Sequence, residues 1–299
     1  MDLDGTLSAC QALLANLPRL IEKETDFVKR QQIRLILGDI PPLAFEIAAR
    51  TRIPSVAIAN FTWSWIYQAY IKSHPAFESV VATMQALYRR ATLALALPYA
   101  GGMDIFPLQE PLSWIARASP LAKEEARRLF NLPQLATVVL LSFGGLGLNR
   151  FPWSSLTHYR DFFFVTTGVA NQNTDNMLCL PDAQRNYADL VRASDIVVTK
   201  PGYGIVADIL SHQVPVLYTE RGDFAEYDYL VRALSECATA EFIPQNRVMC
   251  GDLLPYLNRL LNKKPNWPEV SLDGAEVAAA KISALLDLSG DPGLPVGQG

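Results

Sequence analysis

Apolar positions along the chain change period repeatedly, and the changes mark off alternating helix-type and strand-type segments. Residues 8–32 place Leu13, Leu14, Leu17, Leu20 and Ile21 on one helical face and end in a charged run over 22–30. A β-type run at 33–37 follows and stops at Gly38-Asp39. Pro41-Pro42 then opens a predicted helix over 43–50, proline being tolerated in a first turn. Residues 55–59 form the next predicted strand, 76–90 a helix and 93–97 a further strand. Between them lies an aromatic cluster, Phe61, Trp63, Trp65, Tyr67 and Tyr70. The stretch 98–119 has glycine and proline but little periodicity, and reads as a connector.

The pattern then restarts. An amphipathic helix is predicted over 120–130, a buried strand over 137–142, a strand over 162–166 and a short helix over 187–193. Residues 195–199 form a β-type run that ends in the turn Lys200-Pro201-Gly202-Tyr203-Gly204. A helix follows over 205–212, a strand over 214–219, a polar loop over 220–223, and helices over 225–236, 251–263 and 273–287. Strands alternating with helices in two blocks predict an α/β protein of two domains with largely parallel sheets. The expected division is 1–118, 119–275, and a C-terminal helix with a disordered tail over 276–299.

Composition narrows the classes. Of 299 residues, 50% are hydrophobic and 19% charged, enough for a sizeable core. No apolar run reaches the roughly 18–20 residues of a membrane span, so no transmembrane segment is expected. The net charge of −4 and the lack of a basic face argue against nucleic acid as a partner. Cys10, Cys179, Cys237 and Cys250 show no CxxC spacing, and His74, His158 and His212 stand far apart, so no metal and no cofactor are expected. A cytoplasmic location is expected from the scattered thiols and the absence of a signal-peptide pattern.

The candidate chemistry gathers in residues 195–230. Strand, glycine turn, helix and strand make half of a nucleotide-binding α/β unit, and the turn puts backbone N–H groups at a helix N-terminus where a phosphate can sit. The plainer reading of Gly202 and Gly204 is an ordinary tight turn. Asp208 in that helix is a candidate for ribose hydroxyls, or a solvent-exposed helical carboxylate. Arg221 and Glu226, past the next strand, are candidates for a phosphate and for sugar hydroxyls, or a surface ion pair. Gly144 and Gly145 follow the strand at 137–142 and offer amides to a phosphate, or simply pack a close turn. Asp39 is a polar candidate at a strand end, or the N-cap of the next helix. The segment Asp2-Leu3-Asp4-Gly5-Thr6 matches the DxDGT motif of haloacid dehalogenase-type phosphatases. That motif needs a buried strand before its first Asp, and only Met1 precedes Asp2, so it reads as the cap of the first helix.

The stretches 37–42, 54–67 (PSVAIANFTWSWIY), 140–147 (LLSFGGLG) and 187–230 together resemble GT-B glycosyltransferases. They are similar to the lipid II-forming N-acetylglucosaminyltransferase group and to the glycosyltransferase-like N-terminal region of L-arabinokinases. Lys200, Gly202, Tyr203, Gly204, Pro215, Arg221, Phe224 and Glu226 match the family pattern, whereas Asp208 stands where it has Glu. The resemblance implies two Rossmann-like domains. The C-terminal one would hold a nucleotide-diphosphate sugar, usually a UDP-sugar, on Gly144, Gly145, Lys200, Gly202, Tyr203, Gly204, Asp208, Arg221, Phe224 and Glu226. The N-terminal one would hold a hydroxyl acceptor, with Asp39, Asn60 and Trp63 as candidates. It implies inverting, metal-independent transfer of a hexosyl or N-acetylhexosaminyl group, with no catalytic base assignable. Such chains begin with a strand and a glycine/histidine loop, so the N-terminal domain is expected to be truncated and activity impaired. A non-catalytic nucleotide-sugar-binding or regulatory module is the alternative.

Overall fold

The structure, a computed structural model, describes residues 2–143, 151–168, 173–181 and 187–289. Gly144, Gly145 and the tail after Ser289 lie outside them. The chain divides into two compact units, Met1–Ile115 with Asp273–Gly299, and Ala116–Leu272. The expected borders at 118/119 and 275/276 therefore shift by a few residues, and the C-terminal helix belongs to the first unit.

In the first unit α1 (Leu3–Ala15) and α2 (Leu17–Arg30) replace the single helix expected over 8–32. Pro18 occupies the first turn of α2, where its missing N–H is harmless, but it cannot continue α1. Asp2 caps α1 by accepting from the Gly5 backbone N–H at 3.0 Å, so the DxDGT segment is a helix start and presents no strand-borne nucleophile. Then come β1 (Ile36–Gly38), α3 (Pro42–Thr51), β2 (Ser55–Phe61), α4 (Trp63–Gln68), α5 (Phe77–Tyr88), β3 (Leu93–Gly101) and β4 (Gln109–Pro111). The sheet is parallel throughout, in the order β1-β2-β3-β4. Fully buried Tyr88 braces its carboxyl edge: the hydroxyl donates to the Ile40 carbonyl after β1 and accepts from the Trp63 N–H after β2.

The second unit runs α6 (Lys123–Leu129), β5 (Thr137–Ser142), α7 (Trp153–Leu156), β6 (Phe162–Thr167), β7 (Met177–Leu180), α8 (Tyr187–Ala193), β8 (Ile196–Thr199), α9 (Tyr203–His212), β9 (Val216–Tyr218), α10 (Tyr227–Cys237), β10 (Ala240–Phe242), α11 (Gln245–Met249) and α12 (Leu254–Leu261). Its parallel sheet has the order β10-β9-β8-β5-β6-β7. One core, built on Val139, Leu141, Phe164, Ile196, Val198 and Leu217, packs one face of it. The chain re-enters the first unit with α13 (Gly274–Ser289), whose Ala278 packs with Val56, Leu93, Leu95 and Leu112. A clasp marks the re-entry: the Gly274 N–H donates to the Trp114 carbonyl, and Ser113 donates to Asp273. Among the described residues no helix is long and apolar enough to cross a membrane.

Asp195, just before β8, ties three elements together. It accepts from Lys123 and the buried Arg127 of α6, and from the Val138 N–H of β5 at 2.7 Å. Asp195→Ala removes the counter-charge of Arg127, which keeps its bonds to the Ala193, Pro133 and Gln134 carbonyls; breaking one side of a buried pair costs up to about 3–5 kcal/mol. Urea unfolding should show a loss of about 2–4 kcal/mol; a loss under about 1 kcal/mol would mean the knot is an ordinary surface pair.

Candidate functional site

Strand order reverses between β5 and β8, since β5 is followed outward by β6 and β8 by β9. Ligands of open α/β sheets bind in the crevice outside the carboxyl ends of the strands at such a point. Thr199 closes the two strand ends on each other by donating from Oγ1 to the Ser142 carbonyl at 2.6 Å. The Ser142 hydroxyl meets the Tyr187 hydroxyl at the start of α8. Burial pushes the Tyr187 phenol up; its bond to Ser142 works the other way.

Gly202 is the N-cap of α9 and supplies no side-chain cap. The first-turn backbone at Gly204 and Ile205 therefore meets no capping side chain from Gly202, and stands in the field of a ten-residue helix. A Cβ on Gly204 would meet nothing within 4 Å, so the backbone there is open to close approach. A Cβ on Gly202 would stand 3.0 Å from Arg221 Nη1. The glycine thus lets the arginine reach the Pro201 carbonyl, to which it donates at 2.7 Å.

Arg221 joins the two loops after β8 and β9. Besides Pro201 it meets Glu226 Oε1 at 3.4 Å and lies over the Phe224 ring at 5.1 Å. Gly222, with a φ of 78°, makes the turn that allows this. Glu226 is the N-cap residue of α10 and only 4% exposed, and its Oε2 is buried with no hydrogen-bond partner. A buried carboxylate oxygen without a donor is a costly arrangement that a hydroxyl ligand would relieve. Tyr203 stands close by: burial first, and then the Glu226 charge, raises its phenol. The structure therefore brings Gly202, Tyr203, Arg221, Phe224 and Glu226 together at the carboxyl ends of β8 and β9, and Lys200 lies half-buried at the start of the same turn.

Asp208 departs from expectation. Its side chain is 2% exposed and accepts from Arg117 Nη2 at 2.6 Å, so it is a buried carboxylate with one oxygen already held by a cation. Arg117, Tyr187 and Asp195 were not singled out as site residues from the sequence, because none lies in a glycine-marked loop and their partners are distant in the chain. Among the described residues no three His, Cys, Asp or Glu side chains gather as a metal-binding group.

In the first unit Asp39 is exposed after β1, but the N-cap of α3 is Pro41, with no side-chain cap bond. Asn60 lies half-buried on β2, and Trp63 stacks on Tyr67 with ring centroids 5.7 Å apart. Tyr67 and Tyr70 are core residues. A groove of about 400 Å³ opens beside these positions, lined by Thr62, Ser64, Trp65, Gln68, Gln85 and Arg89 among others. None of Asp39, Asn60 and Trp63 lines it.

The fold is that of the GT-B glycosyltransferases. The crystal structure of the calicheamicin glycosyltransferase matches with a TM-score of 0.60 at 14% identity, covering 96% of this chain and 82% of that one. The spinosyn rhamnosyltransferase complexed with thymidine diphosphate matches with a TM-score of 0.57 at 14% identity, covering 95% and 76%. In sequence the chain is similar to L-arabinokinase of Arabidopsis thaliana, 28% identical over 265 residues, which is 87% of this chain. It spans a quarter of that relative's length. No protein-family model matches.

One further contact holds the site's rim. Glu220, after β9, accepts from Thr219 Oγ1 and from the Gln245 N–H at the start of α11. Burial pushes its carboxyl up, but these bonds and its own backbone N–H outweigh that and hold it below the usual range. A depressed carboxylate stabilises the fold above its unfolded pKa, and that stabilisation is lost as pH falls through the folded value. Glu220→Gln should therefore be less stable than wild type at neutral pH. The gap should close as pH drops from the ordinary carboxylate range through the lowered value, as followed by thermal unfolding. A gap constant with pH would contradict this assignment.

Proposed function

We propose that this chain is a glycosyltransferase-type enzyme that binds a nucleotide-diphosphate sugar, with UDP as the nucleotide, in its second unit and transfers the sugar to a hydroxyl acceptor. The observation that carries the reading is a convergence at the β5/β8 switch point. The uncapped N-terminus of α9 stands beside a buried carboxylate, Glu226, with one oxygen unpartnered. The first fits a diphosphate, the second a sugar hydroxyl. GT-B neighbours, among them a structure with thymidine diphosphate, support the same class of donor.

In the proposed step the acceptor oxygen forms a bond to the anomeric carbon as the bond from that carbon to the diphosphate oxygen breaks. The electron pair leaves with the diphosphate, and the acceptor's proton passes to a base or to solvent. Charge develops on the leaving oxygen, and the Gly204 and Ile205 amides, at a fixed helix end, are placed to stabilise it. Glu226 accepts from the donor sugar's hydroxyls and orients the ring. Arg221 holds Glu226 and the turn in place and adds positive charge beside the phosphates.

Ligands that bind only the folded chain stabilise it, by about 2.7 kcal/mol at a hundred times Kd. UDP, UDP-glucose and UDP-N-acetylglucosamine are expected to raise the melting temperature at millimolar concentration, and donor hydrolysis or transfer should be detectable by mass spectrometry. Glu226→Gln should keep UDP binding within a few-fold and lower turnover about ten-fold or more, the worth of a charged hydrogen bond. If none of these nucleotides, nor thymidine diphosphate, shifts the melting temperature, the donor-site reading fails. Binding without turnover would favour a nucleotide-sugar-binding module instead.

A further inference from the structure

The Arg117–Asp208 pair is unusual in its asymmetry. The Asp208 side chain is 2% exposed, whereas the Arg117 side chain bonded to it is 63% exposed. An ordinary surface ion pair has both partners in water and contributes little. Here the chain buries a charge, at a desolvation cost, to hold the inner end of an arginine whose outer donors stay accessible. The hold is double. Asp208 and His212 are one turn apart on α9. The Ser119 N–H donates to His212 Nε2 at 2.9 Å, and His212 Nδ1 bonds the Asp208 carbonyl at 2.7 Å. Both bonds are satisfied by one neutral tautomer, with the proton on Nδ1. Segment 117–119 is thereby clamped along the helix, and Arg117 is preorganised rather than free. The pair lies about 9 Å along α9 from Gly202, as six residues at 1.5 Å each require. Its charges act on Tyr187, whose hydroxyl meets Ser142 at the end of β5, so it borders the switch point.

We infer that Arg117 is the residue that meets the charged nucleotide on this side of the crevice, and that Asp208 acts only through it, as a positioning residue. The inference rests on the donor-site reading above and adds to it a ligand contact outside the glycine-turn motif. A guanidinium offers five N–H donors and no acceptor, so this side of the site selects phosphate or carbonyl oxygens. It does not read ribose hydroxyls through a carboxylate.

UDP binding to the full chain, measured by calorimetry, separates the possibilities. Arg117→Met should weaken UDP about ten-fold or more, and Arg117→Lys should recover part of the loss. Affinity should fall less steeply with added NaCl in Arg117→Met than in wild type, which a merely structural residue would not produce. Asp208→Asn should weaken UDP by a smaller factor. Arg117→Met/Asp208→Asn should be no worse than Arg117→Met alone, because the two act in series. That double variant contains no stranded buried charge, so it carries the comparison if Arg117→Met unfolds. Equal or tighter UDP binding by Arg117→Met or by the double variant overturns the inference, as do losses that simply add. If wild type binds no nucleotide, the donor-site reading falls and takes this inference with it.

Discussion

Asp195 sets the geometry on which the second unit depends. It sits before β8 and accepts from the Val138 N–H of β5, while Lys123 and Arg127 of α6 neutralise it. That bond fixes the register in which Val139 lies beside Ile196 and Ser142 beside Thr199. A one-residue slip would exchange the sets of β8 side chains that fill its two buried faces and separate the two strand ends. At the far end Thr199 repeats the constraint by donating to the Ser142 carbonyl. The switch-point crevice is thus pinned at both ends of one strand pair, by an ionic knot below and a hydroxyl bond above.

Within that frame, one arginine couples loops twenty residues apart. Gly202 leaves Arg221 room at the Pro201 carbonyl, since a Cβ there would stand 3.0 Å from its Nη1, and Gly222 turns the adjoining chain in a left-handed conformation. The two glycines therefore serve the arginine before they serve any ligand. The plain reading of the motif as a close-packed turn describes Gly202, which stands against Arg221, whereas the backbone at Gly204 faces open space.

What the sequence revealed follows from burial. The strand at 137–142 and the helix at 187–193 stand where the pattern predicts, because central elements are apolar on both sides and end sharply. The three strands that the pattern did not reveal, β4, β7 and β10, are all sheet edges. β4 reads Gln109-Glu110-Pro111, a polar run with a proline tolerable only at an edge. The same limit applies to side chains. Glu226 was legible because it follows a strand end. Asp208 was legible as a carboxylate on α9 but not as a buried one, since its partner Arg117 stands 91 positions away. Asp195 looked like the polar start of a strand, and nothing local to it announces two cations from α6.

Electrostatics also look different at site scale. The chain carries a net charge of −4, which alone would disfavour an anionic ligand. At physiological ionic strength the Debye length is about 8 Å, so charges scattered over the surface are largely screened at the crevice. What remains is local: the positive end of α9, the half-buried Lys200, and the guanidinium of Arg221. The carboxylate paired with Arg221 offsets part of that charge, yet one of its oxygens is left without a donor. A diphosphate with an attached sugar answers both demands at once, supplying the anion for the helix end and the hydroxyl for the carboxylate. A bare phosphate would satisfy the first and be repelled by the second. The proposed sugar-nucleotide donor thus rests on the chemistry of the chain's own groups and not on its net charge.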